Sequence, residues 1–140
     1  MSSFKIFDIA GSGMAAQSVR LNTVASNLAN AESVSGDAAT AYKARHPVFE
    51  AVRAGVAGSK PGDAGTAVKV SAIVENPKAA EARYEPGNPL ANADGYVFAP
   101  NVNAIEEMVD MISASRAYQN NVEVMNTSKE LLLATLRLGQ

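Results

Sequence analysis

The C-terminal stretch, residues 101–138, reads NVNAIEEMVDMISASRAYQNNVEVMNTSKELLLATLRL. It contains no proline, the residue that breaks helix interiors. Large side chains recur at steps of seven, at Met111, Tyr118, Met125 and Leu132. Other apolar residues interleave with this repeat or widen it: Ile105, Met108, Val109, Ile112, Val122 and Leu136. A seven-residue apolar repeat keeps a seam on one face of a helix, and such a seam packs against a partner helix. The stretch therefore predicts a single helix about 57 Å long that requires a partner.

A second proline-free stretch, residues 3–31, lies near the N-terminus and shows the same spacing. Its seam is formed by Phe7, Met14, Leu21 and Leu28, again at steps of seven. Together the two stretches predict a mainly α fold with a small β-rich middle domain, in which long N- and C-terminal helices form an α-helical coiled coil. Periodicity alone equally allows two amphipathic helices of an ordinary bundle.

Three features of these helices favour assembly with other chains. Gly11 and Gly13 each cost the N-terminal helix about 1 kcal/mol relative to alanine, so that helix depends on packing for its order. Its stripe is rich in small residues, among them Ala25 and Ala29. Neutral asparagines occupy positions where a monomeric surface helix more often carries Glu and Lys. They are Asn22, Asn27, Asn30, Asn103, Asn120, Asn121 and Asn126.

The middle of the chain has β character. All six prolines lie between residues 47 and 100. Residues 68–74 alternate as in a strand, with Val68, Val70, Ala72 and Val74 on one side, and 42–52, 82–84 and 96–98 are further candidates. Residues 54–65 and 33–40 are predicted to be mobile loops. Three domains follow: an N-terminal helix over 1–32, a β-rich middle domain over 33–100 and a C-terminal helix over 101–140.

Composition excludes several classes of function. The chain has 140 residues, no cysteine, one histidine and a net charge of −2. These counts exclude a disulfide framework, a thiol nucleophile and a multi-histidine metal site, and they do not fit a nucleic-acid partner. Asp8 interrupts any signal-peptide core and no window is apolar enough to span a membrane, so we expect no cleaved signal and no membrane insertion. Only 6% of residues are aromatic, so the core is expected to be thin.

No motif in the sequence carries a strong catalytic signal. Residues 11–16, GSGMAA, imitate a dinucleotide fingerprint, but residues 27–31 lack the strand that should follow. One continuous helix through both glycines explains more residues. His46 has no nucleophile partner in sequence, and Glu106, Glu107 and Asp110 fit the favourable placing of acids at a helix N-terminus. We therefore expect no catalytic, cofactor-binding or metal-binding residues, no cofactor and no enzyme activity.

Specific stretches nevertheless resemble one family. Residues 85–118 run from EPGNPLANADGYV through PNVN to MISASRAY, residues 126–140 close the chain, and residues 26–31 read SNLANA. These stretches closely resemble the bacterial flagellar basal-body rod proteins, whereas residues 53–82 match little. Ser33 stands where the family commonly has threonine, and residues 35–41 separate it from Tyr42, so the loop there departs from the family pattern.

The resemblance implies a structural subunit of the proximal rod. Such proteins assemble into a helical tube through their terminal helices, with copies of themselves and other rod proteins. The flagellar type III export apparatus secretes them without a cleaved signal, and they reside in the periplasmic rod of the basal body. The expected assembly interface comprises Phe7, Met14, Leu21, Leu28, Asn30, Met108, Met111, Tyr118, Val122, Met125, Leu132 and Leu136. The alternative is a soluble coiled-coil adaptor dimer carrying a small β module.

Overall fold

The computed structural model describes residues 3–53 and 65–138 of the chain. Within these ranges the elements follow in the order α1 (Ser3–Ala29), β1 (Arg45–Arg53), β2 (Thr66–Glu75), β3 (Glu81–Tyr84), β4 (Tyr96–Ala99) and α2 (Ala104–Leu138). The helices have 27 and 35 residues and the strands 4 to 10, which confirms a mainly helical fold with a small β part. The mobile loop predicted at residues 54–65 lies outside the described residues except for Gly65.

Asparagine side chains form hydrogen bonds to the backbone at the C-terminal end of α1 and at the N-terminal end of α2. Asn103 Oδ1 accepts a hydrogen bond from the backbone N–H of Ile105 at 3.1 Å, so it satisfies one of the free donors at the start of α2. Asn30 follows α1, and its Nδ2 donates to the carbonyl oxygen of Ser26 at 2.8 Å. Ser33 Oγ in turn donates to the carbonyl of Asn30 at 2.7 Å. Polar side chains thus hydrogen-bond to backbone groups where α1 ends and where α2 begins.

The two helices pack against each other in opposite directions. Gly13 lies beside Asn121, whereas Arg20, seven residues later on α1, lies beside Asp110, earlier on α2. Ile6 shares a groove with α2 residues from Asn120 to Ser128, further toward the end of that helix. Since each residue back along α1 corresponds to about one residue forward along α2, Ser3 lies opposite about residue 131. The last two turns of α2 therefore extend past the described start of α1.

Two antiparallel hairpins form the β part. β1 pairs with β2 from Arg45 opposite Glu75 to Arg53 opposite Thr66. β3 pairs with β4 from Glu81 opposite Ala99 to Tyr84 opposite Tyr96. The predicted strands at 42–52, 68–74, 82–84 and 96–98 therefore lie on or overlap observed strands. The first hairpin contacts α1 through Ser12, whose Oγ accepts a hydrogen bond from the backbone N–H of Val68 at 3.1 Å.

A bulge interrupts the expected alternation in β2. Val48 pairs with Ala72 and Phe49 with Val70, so Ser71 is the extra residue. Its hydroxyl donates to the carbonyl oxygen of Val48 at 3.2 Å. Strict alternation from Val68 through Val74 was the wrong expectation, because this extra residue changes the side of the strand on which the later positions lie.

The segment at residues 33–40 is tied by hydrogen bonds, although its composition predicted a mobile loop. Ser35 pairs with Phe98 of β4, with backbone hydrogen bonds of 3.0 Å and 2.7 Å. Asp37 Oδ1 accepts from the backbone N–H of Ala39 at 2.9 Å, which forms a local turn. The short polar residues that indicated a loop here instead build a turn anchored to the second hairpin.

The core is thin, as composition indicated. Its buried apolar residues are mostly alanines: Ala10, Ala16, Val24, Ala41, Ala44, Val97, Ala99 and Ala114. The chain exposes 9487 Å², whereas a compact protein of 14.5 kDa exposes about 6,900 Å². In the part of the chain that the structure describes, neither helix is long and apolar enough to cross a membrane. The excess surface and the alanine-rich interior agree with a thin core.

Candidate assembly surface

The contact between α1 and α2 is close and is centred on small and polar residues. A Cβ built on Gly13 would lie 3.0 Å from both Nδ2 and Oδ1 of Asn121. Ala114 is fully buried, and Ala10 and Val24 are nearly so. The absence of a side chain at Gly13 thus permits the approach of the two helices, and large apolar residues do not fill their centre.

Charged groups also take part in this contact. Arg20 Nη2 lies 2.9 Å from Asp110 Oδ1, in an ion pair whose side chains are 24% and 42% exposed. Glu107, three residues earlier on α2, is only 4% exposed. Its Oε2 and the Oε1 of Gln17 on α1 are buried without a hydrogen-bond partner among the residues described. A polar centre of this kind stabilises less than an apolar one of equal size, since desolvation of these groups opposes the packing.

The predicted seam flanks this centre. On α1, Phe7, Met14, Leu21 and Leu28 are all half-buried. The buried positions Ala10 and Val24, with the half-buried Gln17 between them, also recur at steps of seven, three residues beyond the predicted ones. On α2, Ala114 and Asn121 likewise lie three residues after the predicted Met111 and Tyr118, and Glu107 lies seven residues before Ala114. A spacing of seven thus recurs at the centre of the contact on other residues, and the coiled coil stays a prediction because the large seam residues do not fill that centre.

The remaining predicted interface residues are divided between partial and high exposure. Met111, Val122, Met125 and Leu132 are half-buried. Met108, Tyr118 and Leu136 are exposed. Asn30, the one asparagine of the expected assembly interface, donates its Nδ2 hydrogen bond within its own chain. The structure thus leaves most of the predicted apolar set with surface available for other contacts.

A stripe of large apolar residues faces away from α1 at the start of α2. We call Ile105, Met108, Val109 and Ile112 the N-terminal stripe. Their spacing of i, i+3, i+4 and i+7 places them on one face of the helix. Ile105 is 70% exposed and Val109 is 60% exposed. In sequence, Met108 interleaves with the seven-residue repeat and the other three residues widen it, and the structure places all four on an outer face.

A second exposed apolar group lies at the other end of the same helix. We call Leu131, Leu133 and Leu136 the leucine tail; they are 63%, 45% and 65% exposed. Leu131 lies about level with the described start of α1, and Leu133 and Leu136 lie past it. Leu133 and Leu136 share one face of the helix, whereas Leu131 is about 160° around the helix from Leu133. Exposed apolar side chains of this kind are typical of protein–protein contact surfaces.

Two asparagines, the buried Asn27 on α1 and the half-buried Asn101 just before α2, join the elements together. Asn27 is fully buried on α1; its Nδ2 donates to the carbonyl of Arg45 at 2.8 Å, and its Oδ1 accepts from Tyr42 Oη at 2.9 Å and from Arg45 N at 3.0 Å. Asn101 Oδ1 accepts from Ala44 N at 2.7 Å, and its Nδ2 donates to the carbonyl of Asn76 at 3.2 Å. In sequence Asn27 was one of the neutral asparagines that favour assembly with other chains. Its side chain is instead satisfied within the chain, and the asparagine-rich stretch was the signal that marked it.

The described residues carry no arrangement typical of an active site. Gly11 and Gly13 lie inside α1, so the dinucleotide fingerprint lacks its strand and its turn. No group of three or more His, Asp or Glu side chains that could hold a metal ion occurs in residues 3–53 and 65–138. His46 is half-buried on β1, and the acids of α2 stand in its first two turns, where the helix dipole favours them.

Comparison with protein families gives two matches, which together include more than half of the chain. A family described as flagella basal body rod protein matches residues 7–36. A second, described as flagellar basal body rod FlgEFG protein C-terminal, matches residues 93–138. The two matched segments contain nearly all of α1 and all of α2.

Characterised relatives match over the full length. The flagellar basal-body rod protein FlgC of Salmonella typhimurium is 52% identical over 140 residues, covering 100% of both chains. The protein of the same name from Escherichia coli O6:H1 is also 52% identical over 140 residues, again with complete coverage. The Bacillus subtilis FlgC is 36% identical over 152 aligned positions, covering 100% of each chain.

Proposed function

The chain belongs to the flagellar basal-body rod protein family, and from that premise we propose that it is a subunit of the proximal rod that assembles into a helical tube through α1 and α2. The family is structural and not enzymatic. The observation that carries the assembly proposal is that the family-matched segments include the helix that bears the exposed apolar residues. The two segments that match the family contain most of α1 and all of α2, and α2 carries the N-terminal stripe and the leucine tail.

The thin core supports assembly on energetic grounds. The chain exposes about a third more surface than a compact protein of its size, and its interior consists largely of alanine. Burial of apolar surface against neighbours contributes about 25 cal/mol for each Å² removed from water. Contacts with other subunits therefore add stability that the isolated chain lacks.

Repeated contacts of one kind produce the tube in this proposal. When two different surfaces of a subunit meet head to tail and the rotation does not close a ring, the product is an open helical array. α2 offers two such surfaces at opposite ends of a helix about 52 Å long. The adaptor-dimer alternative is less well supported, because the chain matches rod proteins along its entire length.

The proposal also includes how the subunit reaches its location. We expect export through the flagellar type III apparatus without a cleaved signal, and residence in the periplasmic part of the rod beside other rod proteins. The full-length match to relatives named as basal-body rod proteins supports this location. The two glycines in α1 also support it, since a helix weakened in this way unfolds at lower cost before assembly.

A charge introduced at Leu132, a half-buried residue of α2, tests the assembly proposal. Leu132→Asp, introduced into a bacterium that lacks the wild-type chain, should be produced but should fail to enter isolated basal bodies and fail to support swimming. A carboxylate at this position would have to lose water on contact with a neighbour. The matched control is Thr127→Asp, an exposed position on the same helix, which should assemble. Normal rods and swimming with Leu132→Asp would contradict the proposal.

A further inference from the structure

We propose that the outer face of the second hairpin binds arginine or lysine side chains from a basic segment of another protein. The strand register places four residues on this face, which we call the tyrosine face: Ala82, Tyr84, Tyr96 and Phe98. Val97 and Ala99 point the other way and are 0% and 3% exposed, so the opposite face of the hairpin belongs to the core. Tyr84 and Tyr96 are by contrast 66% and 41% exposed.

The ring of Tyr84 is held in place by its neighbours. Its centroid lies 5.2 Å from that of Tyr96, with 62° between the ring planes, which is an edge-to-face contact. The same ring lies across Gly95, where a Cβ would stand 3.0 Å from Tyr84 Cε2. Gly95 has a φ of 80°, which favours glycine, and the missing side chain leaves room for the ring. Because this aromatic surface is ordered in advance, a partner binds it at a lower entropic cost.

Exposed carboxylates accompany the tyrosine face. Glu85 and Asp94 each lie within two residues of one of its tyrosines, both are exposed, and neither forms an ion pair within the part of the chain that the structure describes. Arg83, the basic residue nearest to them in sequence, is already paired with Glu81 at 3.7 Å. Residues 84–115 include five acidic residues and no basic one. This surface is therefore complementary to a positively charged partner and repels an acidic one.

The aromatic rings add a preference for ammonium and guanidinium groups. The face of a tyrosine ring attracts a cation that lies within about 6 Å of the ring centroid. The chain forms such a contact within itself, where Arg45 Cζ lies 5.6 Å from the ring centroid of Tyr42. Among the residues described, no cation lies over the ring of Tyr84 or Tyr96. Because guanidinium is planar and stacks on aromatic rings, we expect arginine to bind here more tightly than lysine.

A second copy of this chain does not meet the charge requirement. The chain has a net charge of −2, and Arg20, Arg45 and Arg83 each pair with a carboxylate of their own chain. Like-charged surfaces disfavour contact between copies at this face. The occupant is therefore a basic segment of a different protein. This proposal goes beyond rod assembly and is independent of it, because the hairpin is formed within a single chain.

Titration of the full chain with a basic peptide tests the proposal. The probe is the peptide Gly-Arg-Gly-Arg-Gly with blocked ends, and the matched probe carries citrulline, the neutral analogue of arginine, in place of both arginines. NMR spectra of the isotope-labelled chain report shifts of individual backbone amides. The arginine peptide should cause saturable shifts at Tyr84, Gly95 and Tyr96, and the citrulline peptide should cause none. Added salt should weaken the binding, because it screens exposed charges.

Substitutions separate the contribution of the ring from that of the charge. Tyr84→Leu should raise the Kd of the arginine peptide about two- to fivefold, whereas Tyr84→Phe keeps the ring and should leave it nearly unchanged. Asp94→Asn should also weaken binding, because it removes a neighbouring negative charge. Phe49→Leu, at an exposed position on β1, is the matched control and should have no effect. Equal affinity of the Tyr84→Leu and wild-type chains would overturn the proposal, as would equal binding of the citrulline peptide or shifts that spare both tyrosines.

Discussion

Gly13 of α1 faces Asn121 of α2 so closely that a Cβ at the glycine would lie 3.0 Å from both polar atoms of the amide. The Asn121 side chain is itself held, since its Nδ2 donates to the carbonyl oxygen of Ala117 at 2.9 Å. Gly11, two residues before Gly13, has nothing within 4 Å of the corresponding position. The two glycines of α1 therefore have different roles, although the sequence shows them two residues apart in the same helix.

This difference gives the first prediction. Gly11→Ala should raise the free energy of unfolding by about 0.5–1 kcal/mol, because alanine is the better helix former and meets no neighbour. Gly13→Leu should lower it by about 1–3 kcal/mol through overpacking against Asn121. Urea unfolding followed by circular dichroism measures both. Adding Asn121→Ala should recover part of the Gly13→Leu loss, and equal effects of the two glycine substitutions would contradict the packing described.

The second prediction concerns Asn27, which joins α1 to the segment before β1. Asn27→Ala leaves the backbone N–H and C=O of Arg45 and the hydroxyl of Tyr42 without this partner. Each buried group left unsatisfied costs about 1–3 kcal/mol, so the substitution should destabilise the fold by at least about 2 kcal/mol. Tyr42→Phe removes one of the three bonds and should cost about 1 kcal/mol. Asn22→Ala, exposed on the same helix, should have little effect, and an equal loss at Asn22 and Asn27 in denaturant titrations would refute this role.

The third prediction compares two neighbouring glutamates. Glu107 is 4% exposed with one carboxylate oxygen unpartnered among the described residues, whereas Glu106 is exposed. Both lie in the first turn of α2, so replacement by glutamine removes a similar dipole interaction in each case. At neutral pH the free energy of unfolding of the Glu107→Gln protein should nevertheless exceed that of the Glu106→Gln protein by about 1 kcal/mol, because a buried charge is removed. Denaturant titrations of the two proteins measure this difference. A more stable Glu106→Gln protein would indicate that the buried carboxylate is compensated.

The fourth prediction is a pattern of hydrogen exchange in the isolated chain. Amides of residues 131–138 should exchange fastest within α2, because no helix among the residues described covers this part and several of its leucines are exposed. Amides near Asn27, Ala44 and Val97 should exchange slowest, since these residues are buried and hydrogen-bonded across elements. In assembled rods the tail should become protected. Strong protection of residues 131–138 in a monodisperse monomer would contradict an uncovered leucine tail.

The two helices and their seven-residue period could be predicted from sequence, because the absence of proline and the spacing of large apolar residues are local properties of each stretch. It did not predict which residues lie at the centre of the helix pair. Ala10, Gly13 and Ala114 are too small to be distinguished in an apolar pattern, yet their size permits the close approach. The large residues that define the pattern lie at the flanks of that contact or on outer faces.

Hydrogen-bond and strand-pairing partners that are distant in the chain could not be predicted either. The asparagine at position 27 was singled out as a hydrogen-bonding residue, but periodicity contains no information on its partners Tyr42 and Arg45. The bulge at Ser71 likewise depends on the pairing between β1 and β2, which a single strand does not specify. For the candidate surface, the spacing of Ile105, Val109 and Ile112 was visible in sequence, whereas their direction required the position of α1.

The antiparallel contact of α1 and α2 has a consequence for the order of folding. Arg20 and Asp110 are 90 residues apart in the chain, and the whole β part lies between them. Contacts of such long sequence separation form late and slowly, because the entropy of closing a long loop must be overcome first. During synthesis from the N-terminus, α1 therefore has no helical partner until the last quarter of the chain is available, and its small-residue face stays open to other molecules throughout that interval.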